Sequence, residues 1–198
     1  MLLIRLTNSF IFLFTLFCFV MCFQKDGEWK LAHGLHSLRY FTILSNLFSG
    51  LAALLVAVCL TEHGLPFGVW LVKYIAVAAV TVTFVTVMVF LGPTLGYKAQ
   101  LEGRGFFLHA AGPLLAVLSF CFMERFHTLS FALSLTGMLP VVLYGLVYAW
   151  KVLLCPEERR WDDFYGYTKG GHWLISACAM LAGTFLICML LRFLYGLA

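Results

Sequence analysis

Tyr74-Ile-Ala-Val-Ala-Ala-Val-Thr-Val-Thr-Phe-Val-Thr-Val-Met-Val-Phe-Leu91 is the stretch on which the fold turns. It holds no charged side chain, and the charge-free run continues to 97, bounded by Lys73 and Lys98. About 20 mostly apolar residues in a helix cross a bilayer core of about 30 Å. Only helices and closed barrels satisfy their backbone polar groups in lipid. Barrel strands alternate polar and apolar side chains with period two. This stretch does not alternate, so it reads as a transmembrane helix.

Working outward, the same pattern recurs along the chain. Stretches without Asp, Glu, Lys or Arg run over 6–24, 40–61, 74–97, 105–123, 126–150 and 170–191, each 19 to 25 residues long. The expected architecture is all-α: one integral membrane domain over 1–198, built as a six-transmembrane-helix bundle. Composition agrees, with 63% hydrophobic and 11% charged residues over 198 positions, against roughly 45–50% and about 25% in soluble domains. The mean hydropathy is +0.97. Soluble, disordered and nucleic-acid-binding classes are excluded; the cations are spread and form no basic arm.

Orientation follows from Lys and Arg in short connections. The loops after spans one, three and five carry Lys25, Lys30, Arg39, Lys98, Arg104, Lys151, Arg159, Arg160 and Lys169. The opposite side carries Arg5, Lys73, Arg125 and Arg192. The excess puts the odd-numbered loops in the cytoplasm and both termini outside; in a bacterium the host would be the cytoplasmic membrane. Met1 to Phe23, with Arg5 and a Phe-rich core, also fits a signal peptide. No small-x-small cleavage site follows it, so an uncleaved helix is expected.

Cysteines 18, 22, 59, 121, 155, 178 and 188 form no C-x-x-C pair and read as small hydrophobes. His33, His36, His63, His127 and His172 fall in loops or at span ends, and only His109 is clearly inside a span. Neither a paired-histidine haem site nor a zinc site is indicated, and no metal or organic cofactor is expected. Pro113 and Pro140 lie inside spans and are expected to kink them.

Polar side chains inside an apolar span are the informative exceptions. Thr42, Ser45 and Asn46 are spaced i, i+3, i+4 and share one helical face. Thr42 lies three residues past Arg39, and His109 lies five past Arg104. At 1.5 Å per residue these are depths of ~5 and ~8 Å on the same side. A threonine hydroxyl becomes a nucleophile when a base takes its proton, and neutral imidazole suits that task. Ser45 and Asn46 are candidates to hold an oxyanion or orient the histidine. Tyr144 and Tyr148 end the fifth span on that side, ahead of Trp161, Asp162 and Asp163. Each has a plainer reading. Threonine bonds back to its i−4 carbonyl. Asn and Ser join helices, and a lone histidine bridges them. Tyr and Trp form an interfacial belt, and the aspartates are solvated loop charges.

Tyr40-Phe-Thr-Ile-Leu-Ser-Asn46, Phe90-Leu-Gly-Pro93, Leu108-His109 with Pro113-Leu114, and the aromatic loop Trp161-Asp-Asp-Phe-Tyr-Gly-Tyr167 resemble the androgen-induced and androgen-dependent-TFPI-regulating protein family, with its bacterial relatives. The resemblance covers roughly 38–190 in order. It implies a multi-pass membrane hydrolase that cleaves fatty acid esters of hydroxy fatty acids, with its threonine nucleophile at Thr42 and its histidine at His109. Animal members often have His-Thr at the second site, where this chain has His109-Ala110. The expected partners are the bilayer and a lipid ester, with no nucleic acid. The rival expectation is a non-catalytic multi-pass protein: a small transporter, or a lipid- or haem-binding bundle. Acyl transfer to an acceptor other than water is the rival within enzymology.

Overall fold

The computed structural model describes residues 1–168 and 172–197. Six helices are long and apolar enough to cross a membrane: α1 (Leu2–Phe23), α2 (Phe41–Cys59), α3 (Phe67–Leu95), α4 (Arg104–Met123), α5 (Phe131–Leu154) and α6 (Trp173–Leu197). The expected all-α six-span bundle is the fold observed. Lys169 and the expected start of the sixth span at 170 lie outside the described residues.

α1 and α5 show an apolar outward face. On α1, Ile4, Asn8, Ile11, Thr15, Cys18 and Cys22 form one buried stripe at helical spacing. Leu3, Leu6, Phe10, Leu13 and Phe17 point outward. Asn8, Thr15 and the two cysteines face the bundle and the outward face is mostly large and apolar, the arrangement that suits an apolar solvent. On α5, Val141, Tyr144, Tyr148 and Val152 are buried, while Leu139, Leu143, Leu146 and Leu154 are exposed.

α3 is the central helix. Its residues from Ala76 to Val80 are almost wholly enclosed, and α2, α4, α5 and α6 all pack on it. α1 packs chiefly on α2. Gly137, at the start of α5, leaves no room for a Cβ, which would stand 2.8 Å from Ala78 Cβ and 2.9 Å from Cys188 Sγ.

One boundary charge proves to be an interior residue. Lys73 was expected to precede the third span as an outer-loop cation. It instead lies inside α3, six residues past Phe67, with no exposure. Its Nζ donates to Asn8 Oδ1 at 2.7 Å and stands 3.9 Å from Glu124 Oε1. Asn8 Nδ2 donates to that same carboxylate oxygen at 2.8 Å, and so does the Ser119 hydroxyl. With its countercharge inside the bundle, Lys73 does not mark a helix end. α5 and α6 likewise run past Lys151 and Arg192.

Wide π-turns interrupt α3 at Val87–Leu91 and α4 at Phe107–Ala111. Pro93 and Pro113 follow, each one glycine beyond its turn. A proline has no N–H, and its ring crowds the carbonyl four residues back. The wider turn relieves that conflict. In α4 the crowded carbonyl belongs to His109.

After α1 the chain turns in a tight hairpin, β1 (Gln24–Lys25) against β2 (Glu28–Trp29). Asp26 and Gly27 take φ values of 56° and 80° at its tip, the paired positive values a type I′ turn needs. A short helix, Leu31–Ser37, leads into α2.

Candidate active site

α2 begins at Phe41 because Tyr40 is extended, with φ −90° and ψ 131°. Thr42 is therefore in the first turn. The Tyr40 carbonyl accepts from Ile43 and Leu44 N–H at 3.1 and 3.2 Å. The Phe41 and Thr42 N–H groups belong to the helix's orphan donors, at the positive end of its dipole. Thr81, Thr94, Thr136 and Thr184 all turn their hydroxyls back onto carbonyls three or four residues earlier. Among the described residues, the Thr42 hydroxyl makes no such bond.

His109 lies in the π-turn of α4, half-buried. Its Nδ1 is 2.6 Å from the Gln100 carbonyl oxygen. A carbonyl only accepts, so Nδ1 carries the proton and the Nε2 lone pair is left as the base. Gln100 belongs to the short helix Tyr97–Leu101 between α3 and α4. Gly105 permits its approach, because a Cβ there would stand 2.5 Å from that same oxygen.

One side chain joins the two strips of backbone. Asn46 Nδ2 donates to the Thr42 carbonyl at 2.8 Å and to the Leu108 carbonyl at 3.0 Å. Thr42 and His109 line one cavity of about 850 Å³, with Tyr40, Ile43 and Leu108 among its other walls. Lys25, His33, His36, Glu102 and Arg104 also line it, on the loop side. Burial, Arg39 and His33, in that order, hold His36 below the ordinary histidine range.

The aromatic loop closes over this cavity, with Asp163, Phe164 and Tyr165 in its lining. Arg39 pairs with Asp162 at 3.0 Å and lies over the rings of Tyr40 and Phe164, each 5.4 Å away. Tyr40 and Phe164 pack at 4.7 Å between centroids. Asp163 is the knot of the loop rather than a solvated charge. It accepts from Tyr148 Oη at 3.0 Å, Tyr167 N at 2.8 Å, and Thr168 N and Oγ1 at 2.7 Å each. Partial burial pushes its pKa up, but hydrogen bonds from Thr168, Tyr167 and Tyr148 outweigh that and hold it below the usual range. Burial raises the Tyr165 phenol to about 12.

The remaining sequence candidates hold the frame. Ser45 Oγ bonds to the Thr42 carbonyl at 3.1 Å and to Thr83 Oγ1 at 2.8 Å, joining α2 to α3. Tyr144 Oη donates to the Arg39 carbonyl at 2.8 Å. Tyr148 Oη donates to Asp163 and accepts from Tyr165 N at 3.1 Å. Gln100 is the site residue that sequence reasoning missed, and Asp163 is one it names only as a loop charge. Gly105, a glycine just before the histidine turn, is the one signal for the former. For the latter it is an aspartate four and five residues ahead of Tyr167 and Thr168, the spacing of a loop knot. Among the described residues no group of three or more His, Cys, Asp or Glu is placed to hold a metal ion.

No protein-family model, curated protein or solved structure matches the chain.

Proposed function

We propose that the chain is a membrane-embedded lipid ester hydrolase with Thr42 as nucleophile and His109 as general base. The observation that carries this reading is the shared cavity, in which Thr42 has an unengaged hydroxyl and His109 a ring anchored through Nδ1. The Thr42 Oγ1 attacks the ester carbonyl carbon while His109 Nε2 takes its proton. The first-turn amides of α2 favour negative charge on the tetrahedral oxygen. Collapse breaks the carbon–alkoxy bond, and His109 returns the proton to the departing alkoxide. Water, deprotonated by His109, then releases the acid from the acyl-threonine. Fatty acid esters of hydroxy fatty acids are the substrate class the resemblance implies.

The cation distribution supports placing this cavity on the cytoplasmic side and both termini outside. With Lys73 removed from the count as a buried residue, the opposite side retains only Arg5, Arg125 and Arg192. A fluorophosphonate probe applied to membranes containing the protein tests the reading. Labelling is expected on Thr42 and is lost in Thr42→Ala, and ester turnover is lost in His109→Ala. Labelling that survives Thr42→Ala overturns it.

A further inference from the structure

The opposite end of the bundle has a second cavity that the proposed chemistry does not use. It encloses about 690 Å³ between the α4–α5 connection and the last turns of α6. Its charged lining is all of one sign: Arg125 and Arg192, both exposed. Among the described residues neither guanidinium pairs with a carboxylate; the ion pairs formed are Lys30–Glu28, Arg39–Asp162 and Lys73–Glu124. The Thr128 hydroxyl adds a donor to the same lining, and Phe126 and Phe193 supply apolar wall.

The frame of this cavity is fixed. Tyr195 Oη donates to the His127 carbonyl at 2.6 Å, tying α6 to the connection. His127 Nε2 donates to the Leu65 carbonyl at 2.7 Å, tying the connection to the segment just before α3. The Arg125 guanidinium lies over the Tyr195 ring, 5.6 Å from its centroid, which holds the charge at the cavity wall.

We propose that this cavity binds the phosphate group of an anionic phospholipid. Two guanidiniums that pair with no carboxylate among the described residues match the oxygens of a phosphate, which they bind through parallel N–H donors. The position at the ends of membrane-spanning helices favours a lipid over a free anion. The headgroup meets the arginines at the interface, and the glycerol and acyl chains continue along Phe126, Phe193 and the outer face of α6.

The test uses full-length protein in uncharged detergent, with phosphatidylglycerol, phosphatidylcholine or glycerol phosphate added. Thermal shift reports binding, and native mass spectrometry reports lipid retained. Saturable stabilisation by phosphatidylglycerol is expected, with retained lipid. Arg125→Gln with Arg192→Gln weakens it about tenfold or more, whereas lysine at both positions retains most of it. Arg192→Gln alone, which leaves the Tyr195 contact intact, shows a partial loss. Running the series on Thr42→Ala protein gives the same result, since the site is independent of ester cleavage. An equal response to phosphatidylcholine, or an unchanged one in the double glutamine variant, overturns the proposal. Stabilisation by glycerol phosphate alone to the same extent overturns it too, and identifies a site for free anions.

Discussion

His109 is anchored to Gln100, nine residues back, through one hydrogen bond of 2.6 Å from ring Nδ1 to a backbone carbonyl. In the proposed mechanism a peptide carbonyl would stand where a carboxylate stands in a catalytic triad, fixing the tautomer and aiming Nε2. It lacks the carboxylate's charge, so it contributes orientation more than stabilisation of the imidazolium.

Gly105→Ala tests the anchor without touching the histidine. The added Cβ would stand 2.5 Å from the Gln100 oxygen, so that carbonyl must move. Misaligned bases lose rate steeply. Ester turnover is expected to fall about tenfold or more, with the labelling rate at Thr42 falling in parallel. Turnover equal to the parent's would show that Gln100 does not position the ring.

Asn46 is the second lever. Its amide bonds the Thr42 and Leu108 carbonyls, one residue before His109 in the second case. Asn46→Leu leaves both acceptors buried without that donor, at a cost of about 1–3 kcal/mol. Asn46→Asp, which sets a carboxylate against two carbonyl oxygens, is expected to be worse at neutral pH. Thermal unfolding in detergent and ester turnover should both drop, in the order leucine then aspartate.

The six spans were legible because charges are scarce and end most helices. The rule failed at Lys73, where a charge is neutralised by a partner far along the chain. No local pattern announces Glu124 as that partner. That Thr42 and His109 line one cavity accords with the sequence, where each follows a boundary cation by three to five residues. Gln100 was not legible, because its contribution is a main-chain carbonyl, and every residue carries one. Ser45 shows the opposite failure. Its spacing from Thr42 suggested chemistry, but its hydroxyl is taken up by Thr83.

Asp163 predicts how the aromatic loop responds to acid. Its hydrogen bonds hold its folded-state pKa below the usual carboxylate value, about 3.9 in unfolded chains. A depressed pKa gives a stabilisation present in full above the unfolded value and lost as pH falls through the folded one. The loop should thus stay closed through neutral and mildly acid pH, loosening only below that range. Asp163→Asn removes the charge at every pH. Amide hydrogen exchange at Tyr165 and Tyr167 should quicken in the variant at pH 7, a condition where the parent stays protected. Equal exchange in both proteins would remove Asp163 as the knot.

The buried Lys73, Asn8 and Glu124 cluster ties α1 and α4 to the central helix, and single substitutions there should be severe. Lys73→Met leaves the Glu124 carboxylate and Asn8 Oδ1 without their cation, and Glu124→Leu leaves the ammonium without its anion. Stranding one charge of a buried pair costs about 3–5 kcal/mol. The double variant Lys73→Met with Glu124→Leu removes both charges and leaves only Asn8 and Ser119 to find other partners. It is therefore expected to unfold at a higher temperature than either single variant, measured in detergent by tryptophan fluorescence. Additive losses would mean that the two residues do not act as a pair, and that the 3.9 Å separation carries no coupling.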